Sequence, residues 1–203
     1  MSFSGTAGKT NYYMGLSYMG QGGVVKVNPD SYNRFSVNYS TDTEIKPWLK
    51  VRSKALYTRT DLETPFNYGT SSYDALYYLY RWPSIMPYGT YEGIPFRNSI
   101  TETAAASMDS NIKDYMRFSI GATFVLGIPD LTFDIDYTYN LDNQNITQRG
   151  GTVGGWDFWS GSMALVENWA ATSRNKIDKY QYNRNYHAGN AVLRYKHTWN
   201  DAH

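Results

Sequence analysis

LTFDIDYTYN, residues 131–140, alternates without a break. Leu131, Phe133, Ile135, Tyr137 and Tyr139 fall on one parity, and Thr132, Asp134, Asp136, Thr138 and Asn140 on the other. Side chains of an extended chain point to opposite faces with a period of two, so the stretch predicts a strand with one apolar and one polar face. Five further stretches carry the same pattern. In residues 9–20, Tyr12, Met14, Leu16 and Tyr18 oppose Asn11, Tyr13, Gly15 and Ser17. In 32–42, Phe35, Val37 and Tyr39 oppose Arg34, Ser36 and Asn38. In 48–59, Leu49, Val51, Ala55 and Tyr57 oppose Lys50, Arg52 and Lys54. In 114–125, Met116, Phe118, Ile120, Ala122 and Phe124 oppose Tyr115, Arg117, Ser119 and Thr123. Residues 186–199 alternate more weakly, with Ala191, Leu193 and Tyr195 against Asn190, Arg194 and Lys196.

Formal charge is segregated among the positions just named. The apolar positions carry none, while the opposite faces carry Arg34, Lys50, Arg52, Lys54, Arg117, Asp134, Asp136, Arg194 and Lys196. Slipping a charged strand by one residue would exchange its faces. If the apolar face meets lipid, that exchange costs about 2–4 kcal/mol for each Arg or Lys at the bilayer midplane.

The connections between these segments alternate long and short: 21–31, 43–47, 60–113, 127–130 and 141–185. All the short ones therefore fall at one end of the strands, as in outer-membrane barrels with tight periplasmic turns and long extracellular loops. A soluble sandwich would have to hold 60–113 and 141–185 as structureless loops, which compact domains rarely do. Lys46-Pro47 and Gly127-Ile128-Pro129-Asp130 have turn chemistry. Ser99-Ile100-Thr101-Glu102 has the form of a capping box that opens a short helix through Ala106. Residues 148–161 are rich in glycine, and Ser2-Phe3-Ser4 reads as the tail of a preceding strand.

Composition agrees. The 203 residues include 20 Tyr, 6 Trp and 8 Phe, an enrichment that suits strands and membrane interfaces, where one end of a ring is dry and the other wet. A formal net charge of +1 leaves no electrostatic footprint for nucleic acid. With no cysteine there is neither a disulfide framework nor a thiolate metal site. No run of 18 apolar residues is present, so no membrane helix is expected, and residues 1–11 lack the form of a secretory signal. A barrel strand needs only about 9–11 alternating residues. A mean hydropathy of −0.56 is thus compatible with a membrane barrel.

Several stretches resemble the SusC-type (SusC/RagA) family of TonB-linked outer-membrane transporters: KTNYYMGLSYMGQGGVVK from Lys9, YNRFSVNYSTDTEIKPWLKV from Tyr32 and, the most specific, YDALYYLYRWPSIMPYGTYEGIPFRNSITE from Tyr73. The resemblance continues through DYMRFSIGATF from Asp114 to WNDAH at Trp199 and covers most of the chain. It implies a large barrel, closed by an N-terminal plug, capped outside by a SusD-type surface lipoprotein and driven by the TonB complex to import glycans or peptides. Only barrel sequence is recognised here.

The expected fold is therefore all-β: an antiparallel transmembrane β-barrel segment of about six strands, an incomplete barrel, with residues 1–203 in a single barrel domain without a plug. Plugged transporters have about 22 strands, so the remaining strands and plug are expected partners, together with outer-membrane lipid. The expected location is the Gram-negative outer membrane. Two alternatives are a small complete outer-membrane barrel acting as an adhesin or structural protein, and a soluble glycan-binding β-domain.

Candidate chemistry is that of binding. Gly5-Thr6-Ala7-Gly8-Lys9-Thr10 shares residue types with a phosphate-binding loop, but the pattern's first glycine falls at Phe3, and strand-like alternation follows it where a helix should open. Asp134 and Asp136 share a face, yet among Arg34, Lys50, Arg52, Lys54 and Arg117 they read as part of a hydrated lumen wall rather than as an acid–base pair. His187 and His197 lack metal-ligand spacing, so neither a catalytic group, a metal nor a cofactor is expected, and the chain is not expected to be an enzyme. Aromatic residues of the long loops can stack on sugar rings, and Tyr77, Tyr80, Trp82, Trp156 and Trp159 are the candidates for ligand contact. The competing reading is that such rings pack loops against one another.

Overall fold

A computed structural model of the chain describes residues 1–23, 26–65, 84–85, 87–150, 154–158, 162–166 and 176–196. In chain order these form β1 (Ser2–Ala7), β2 (Thr10–Gly22), β3 (Ser31–Lys46), β4 (Leu49–Pro65), β5 (Thr90–Tyr91), β6 (Ile94–Pro95), α1 (Ser99–Ala105), β7 (Met108–Val125), β8 (Leu131–Gly150), β9 (Gly155–Asp157), β10 (Ala164–Val166) and β11 (Lys176–Tyr195). Among the described residues the fold is all-β apart from α1. One open antiparallel sheet has the order β1-β2-β3-β4-β7-β8-β11, and β5-β6 and β9-β10 form two small hairpins.

All six alternating segments contribute a strand to this sheet, the sixth as far as Tyr195, with 197–199 outside the described residues. The seventh strand is β1, joined to β2 through Gly8-Lys9, with Gly8 at φ 60°, where glycine carries no Cβ penalty. Residues 5–10 are thus a strand end, a turn and a strand start, and hold no helix N-terminus to cradle a phosphate. Lys46 pairs with Leu49 across a two-residue turn, after a register shift between Glu44 and Lys46. Val125 pairs with Thr132 around a turn in which Asp130 has φ 63°. Every main-sheet neighbour is also a sequence neighbour among the long strands, so these three short turns share one end and the long connections share the other.

The four longest strands overrun their alternating segments: β4 has 17 residues, β7 has 18, and β8 and β11 have 20 each. The long connections shrink accordingly, to 66–107 and 151–175.

Register joins the apolar faces into one surface. Leu16, Val37, Tyr57, Met116 and Leu141 stand in one cross-strand row. Nearer the short turns run Ala55, Phe118 and Tyr139, then Val51, Ala122, Ile135 and Ala191, then Leu49, Phe124, Phe133 and Leu193. One row beyond Tyr57 the same face turns polar, with Arg59, Asp114, Asn143 and Asn183 aligned. Rings gather at the short-turn edge, where Trp48 stacks on Phe124 at 6.4 Å and Phe124 meets Phe133 at 6.2 Å.

Among the described residues nothing packs over this apolar surface. Tyr18 is 72% exposed and Leu193 63%, and Phe118, Ile120 and Ile135 are exposed with them. Among the described residues the one buried hydrophobic side chain is Ala106. In the main sheet the buried positions are Gly15, Ser36, Gly121 and Asp134, all on the polar face. The crowded side of the sheet is thus its polar side, the inverse of a water-soluble sheet protein.

Candidate functional site

Polar-face chemistry concentrates where four strands run side by side: Arg52 on β4, Thr123 on β7, Asp134 and Asp136 on β8, and Arg194 on β11. Arg52 donates from Nη2 to Asp136 Oδ1 at 3.0 Å and from Nη1 to Thr123 Oγ1 at 3.1 Å. Its Nη1 also lies 3.8 Å from Asp134 Oδ1. Thr123 Oγ1 donates to Asp134 Oδ1, and Arg194 Nη1 pairs with Asp134 Oδ2. Asp134 is 4% exposed, and a buried carboxylate costs several kcal/mol unless it is paired. Here both of its oxygens have partners.

The cluster depends on a missing side chain. Arg52, Gly121 and Asp136 share one cross-strand row, so the arginine reaches the aspartate over the glycine backbone. A Cβ on Gly121 would lie 2.0 Å from Asp136 Oδ1 and 3.2 Å from Arg52 Nη2. Only glycine leaves room for the ion pair.

All seven polar residues predicted for the lumen share the polar face. Of these, Arg52, Asp134 and Asp136 are brought together, whereas Arg34, Lys50 and Lys54 stand apart and exposed. Arg117 Nε donates to Asn140 Oδ1 at 3.0 Å, and the guanidinium lies 5.7 Å from the Tyr115 ring centre. The predicted site lacked Gly121, Thr123 and Arg194. A glycine inside a strand was the available signal for Gly121, since it marks a close approach of other groups. Thr123 and Arg194 share the polar parity, but their convergence on Asp134 needs the register.

At the long-loop end the connections dock on one another. The cap of α1 is Asn98, whose Oδ1 accepts from the Thr101 N–H at 2.9 Å, so the helix begins one residue before the capping box expected from Ser99. Asn28, in the β2–β3 connection at φ 53°, donates to the carbonyls of Thr103 (3.0 Å) and Ala106 (2.8 Å) and thereby binds that connection to the end of α1. Trp156 donates from Nε1 to the Tyr91 carbonyl at 3.0 Å and packs edge-on against the Tyr91 ring at 5.6 Å. The Arg97 N–H reaches the Trp156 carbonyl at 2.8 Å, Arg97 Nη1 pairs with Asp157 at 2.8 Å, and Phe96 packs against Phe158. Trp156 therefore holds two connections together. Tyr77, Tyr80, Trp82 and Trp159 lie outside the described residues, as does His197.

Asp109 joins the start of β7 to the far end of β8. Its Oδ1 accepts from the Arg149 N–H at 2.9 Å and its Oδ2 from Gln148 Nε2 at 3.5 Å. Burial pushes the Asp109 carboxyl above its usual range, and these two hydrogen bonds oppose the rise. At the short-turn end, the hydrogen bond and charge of Lys9, 2.5 Å away, hold the exposed Glu44 below its usual range. Among the described residues no group of three His, Cys, Asp or Glu side chains is arranged to hold a metal ion. Comparison with family models, with curated proteins and with solved structures returns no match.

Proposed function

We infer that this chain is a section of the wall of an outer-membrane β-barrel, with its apolar face in lipid and its polar face lining the channel of a TonB-linked, SusC-type nutrient importer. The observation that carries the reading is the band of uncharged, unpacked apolar residues on one face of an otherwise polar sheet. On β4 the band runs from Leu49 to Tyr57, and on β7 from Met116 to Phe124. Nine residues rising about 3.4 Å each, on strands tilted by about 40°, cover about 23 Å, close to the apolar band of about 25 Å on outer-membrane barrels. The rings of Trp48, Phe124, Phe133 and Tyr195 at one margin suit a membrane–water interface.

Further support comes from the ends and edges of the sheet. Turns are short at one end and connections long at the other, as in barrels with periplasmic turns and extracellular loops. Among the described residues β1 and β11 are open edges, and lipid offers backbone groups no partner, so both edges call for further barrel strands. The importer assignment rests on the sequence resemblance. With it come the remaining strands and plug, a SusD-type lipoprotein over the long loops, the TonB complex, and a glycan or peptide as cargo. The role is binding and passage, with no bond-making step.

The absence of cysteine makes a scan direct. Single cysteines at consecutive positions from Met116 to Thr123 are exposed, in the native membrane, to a bulky water-soluble maleimide. The wall reading expects labelling at odd positions and protection at even ones. Equal labelling at both parities would remove it.

A further inference from the structure

The charges of the polar face are not evenly spread along the strands. Near the short turns they balance: Lys9, Lys50, Arg52 and Arg194 stand against Asp42, Glu44, Asp134 and Asp136, with Arg52, Arg194, Asp134 and Asp136 in one paired cluster and Lys9 paired with Glu44. The next four rows toward the loops differ. They run from the Lys54–Ser119–Thr138 row to the Arg34–Thr60–Lys113 row. On their polar face stand Lys54, Arg117, Arg184, Lys113 and Arg34, with Asp142 as the acid among them. Among the described residues none of the five cations has an ion pair, although Asp142 is the register partner of Arg184. Beyond these rows Asp109 and Asp178 restore negative charge, so the excess is a belt bounded on both sides.

We propose that this belt is an anion-selective binding zone, and that the cargo it favours carries carboxylates, as an acidic peptide or a uronic-acid saccharide does. The proposal rests on the channel-wall reading and adds the substrate class to it. Its physical basis is the contrast between neighbouring zones. Paired charges cancel at a distance of a few ångströms, whereas unpaired cations on one wall add their fields. Low-dielectric walls around a narrow aqueous passage concentrate those fields. Rings of Arg and Lys select anions in other membrane pores by the same means. Arg34, Lys54, Lys113 and Arg117 are exposed, so apart from the Arg117 Nε–H bonded to Asn140 their donors face the solvent a solute would occupy. Lysine and arginine together suit scattered carboxylates, because arginine binds the planar group in a fork and lysine follows as a mobile point charge.

The test uses the complete barrel that contains this chain, reconstituted in phosphatidylcholine vesicles, with fluorescent hexaglutamate and trigalacturonate as probes and maltohexaose and hexalysine as controls. Either anionic probe is expected to bind better than both controls, and to weaken as salt rises from about 50 to about 500 mM, where the screening length falls below about 5 Å. Preference for hexaglutamate identifies peptide cargo, and preference for trigalacturonate identifies saccharide. The variant combining Lys54→Gln, Lys113→Gln and Arg117→Gln should lose about tenfold or more in affinity, since each lost pair contributes on the order of 1 kcal/mol in water. The variant combining Lys54→Arg and Lys113→Arg, which keeps the charge, should bind as the unaltered protein does. Anionic probes that bind no better than maltohexaose, or a glutamine variant that binds them undiminished, would overturn the belt. Maleimide labelling of an Ile120→Cys variant in the same vesicles separates the two levels. With Ile120→Cys protected, those results remove the belt alone. With it labelled, the wall reading falls and the belt with it.

Discussion

Gly121 stands between Arg52 and Asp136 in one row, and the ion pair passes through the space a side chain would take. Because the Cβ of Gly121→Ala would meet a side-chain oxygen held by a guanidinium, either the pair opens or the strand shifts. Overpacking of this kind costs about 1–3 kcal/mol. Equilibrium unfolding in detergent should show that loss for Gly121→Ala. In the Gly121→Ala, Asp136→Ala double variant, where the clash is gone, the costs should fall short of additive by about 1 kcal/mol. Strictly additive losses would separate the glycine from the ion pair. Asp109, in the fourth polar row beyond the Met116 margin of the apolar band, gives a pH dependence. Its folded-state pKa is raised above the unfolded value, so its contribution to stability is full below the unfolded pKa and is lost as pH rises through the folded one. The window therefore begins just above the usual carboxylate range. Asp109→Asn should flatten the unfolding midpoint there, and an unchanged pH profile would count against the buried carboxyl. At this level the sequence was partly legible. Arg52, Asp134 and Asp136 are readable from parity, but the Thr123 and Arg194 contacts depend on which strands are neighbours and in what register.

Within each long strand the apolar face ends before the hydrogen bonding does. On β7, Ile120 sits in the middle of the uncharged band, while Ile112 lies on the same face beyond the Asp114 row, aligned with Asp61 and Asn145. Arginine at the two sites distinguishes lipid from water. Ile120→Arg should destabilise the membrane-inserted protein by about 2–4 kcal/mol, and Ile112→Arg by no more than about 1 kcal/mol. Equal costs in an unfolding titration from lipid vesicles would contradict the band. The same boundary explains what the sequence showed and what it hid. Alternation marks a strand where one face is apolar, and all six such segments are strands. Past Tyr57 and Leu141 both faces are polar, as at Asp61, Asn143, Asn145 and Gln148, so nothing in the hydrophobic pattern announces that β4 continues to Pro65 or β8 to Gly150. β1 is short and contains Gly5, whose Cβ position faces the Tyr12 ring, so its apolar parity reduces to Phe3 and Ala7. The cap of α1 moved for a local reason. The Asn98 side-chain carbonyl oxygen accepts from the Thr101 N–H, which makes Asn98 the cap.

Taken whole, the molecule is a sheet whose crowded side is polar, whose bare side is apolar and whose edge strands are open. In water that combination leaves the apolar band unburied, with no hydrophobic core among the described residues to offset the entropy of ordering the chain. In a bilayer the same band is solvated by lipid, the polar face gains a hydrated passage, and added strands complete the hydrogen bonding at β1 and β11. The long connections are tied together by Asn28, Arg97 and Trp156, and on the proposed reading they sit above the passage on the outer side. Everything in this arrangement depends on which side of the sheet meets hydrocarbon. Nitroxide spin labels at Phe118, Ile120 and Phe133, with Ser119 and Thr132 for contrast, read that side in lipid vesicles. The first three should be relaxed by dissolved oxygen and shielded from a water-soluble nickel chelate, with the other two showing the reverse. If Phe118, Ile120 and Phe133 respond to the chelate and not to oxygen, the apolar face is not in the membrane.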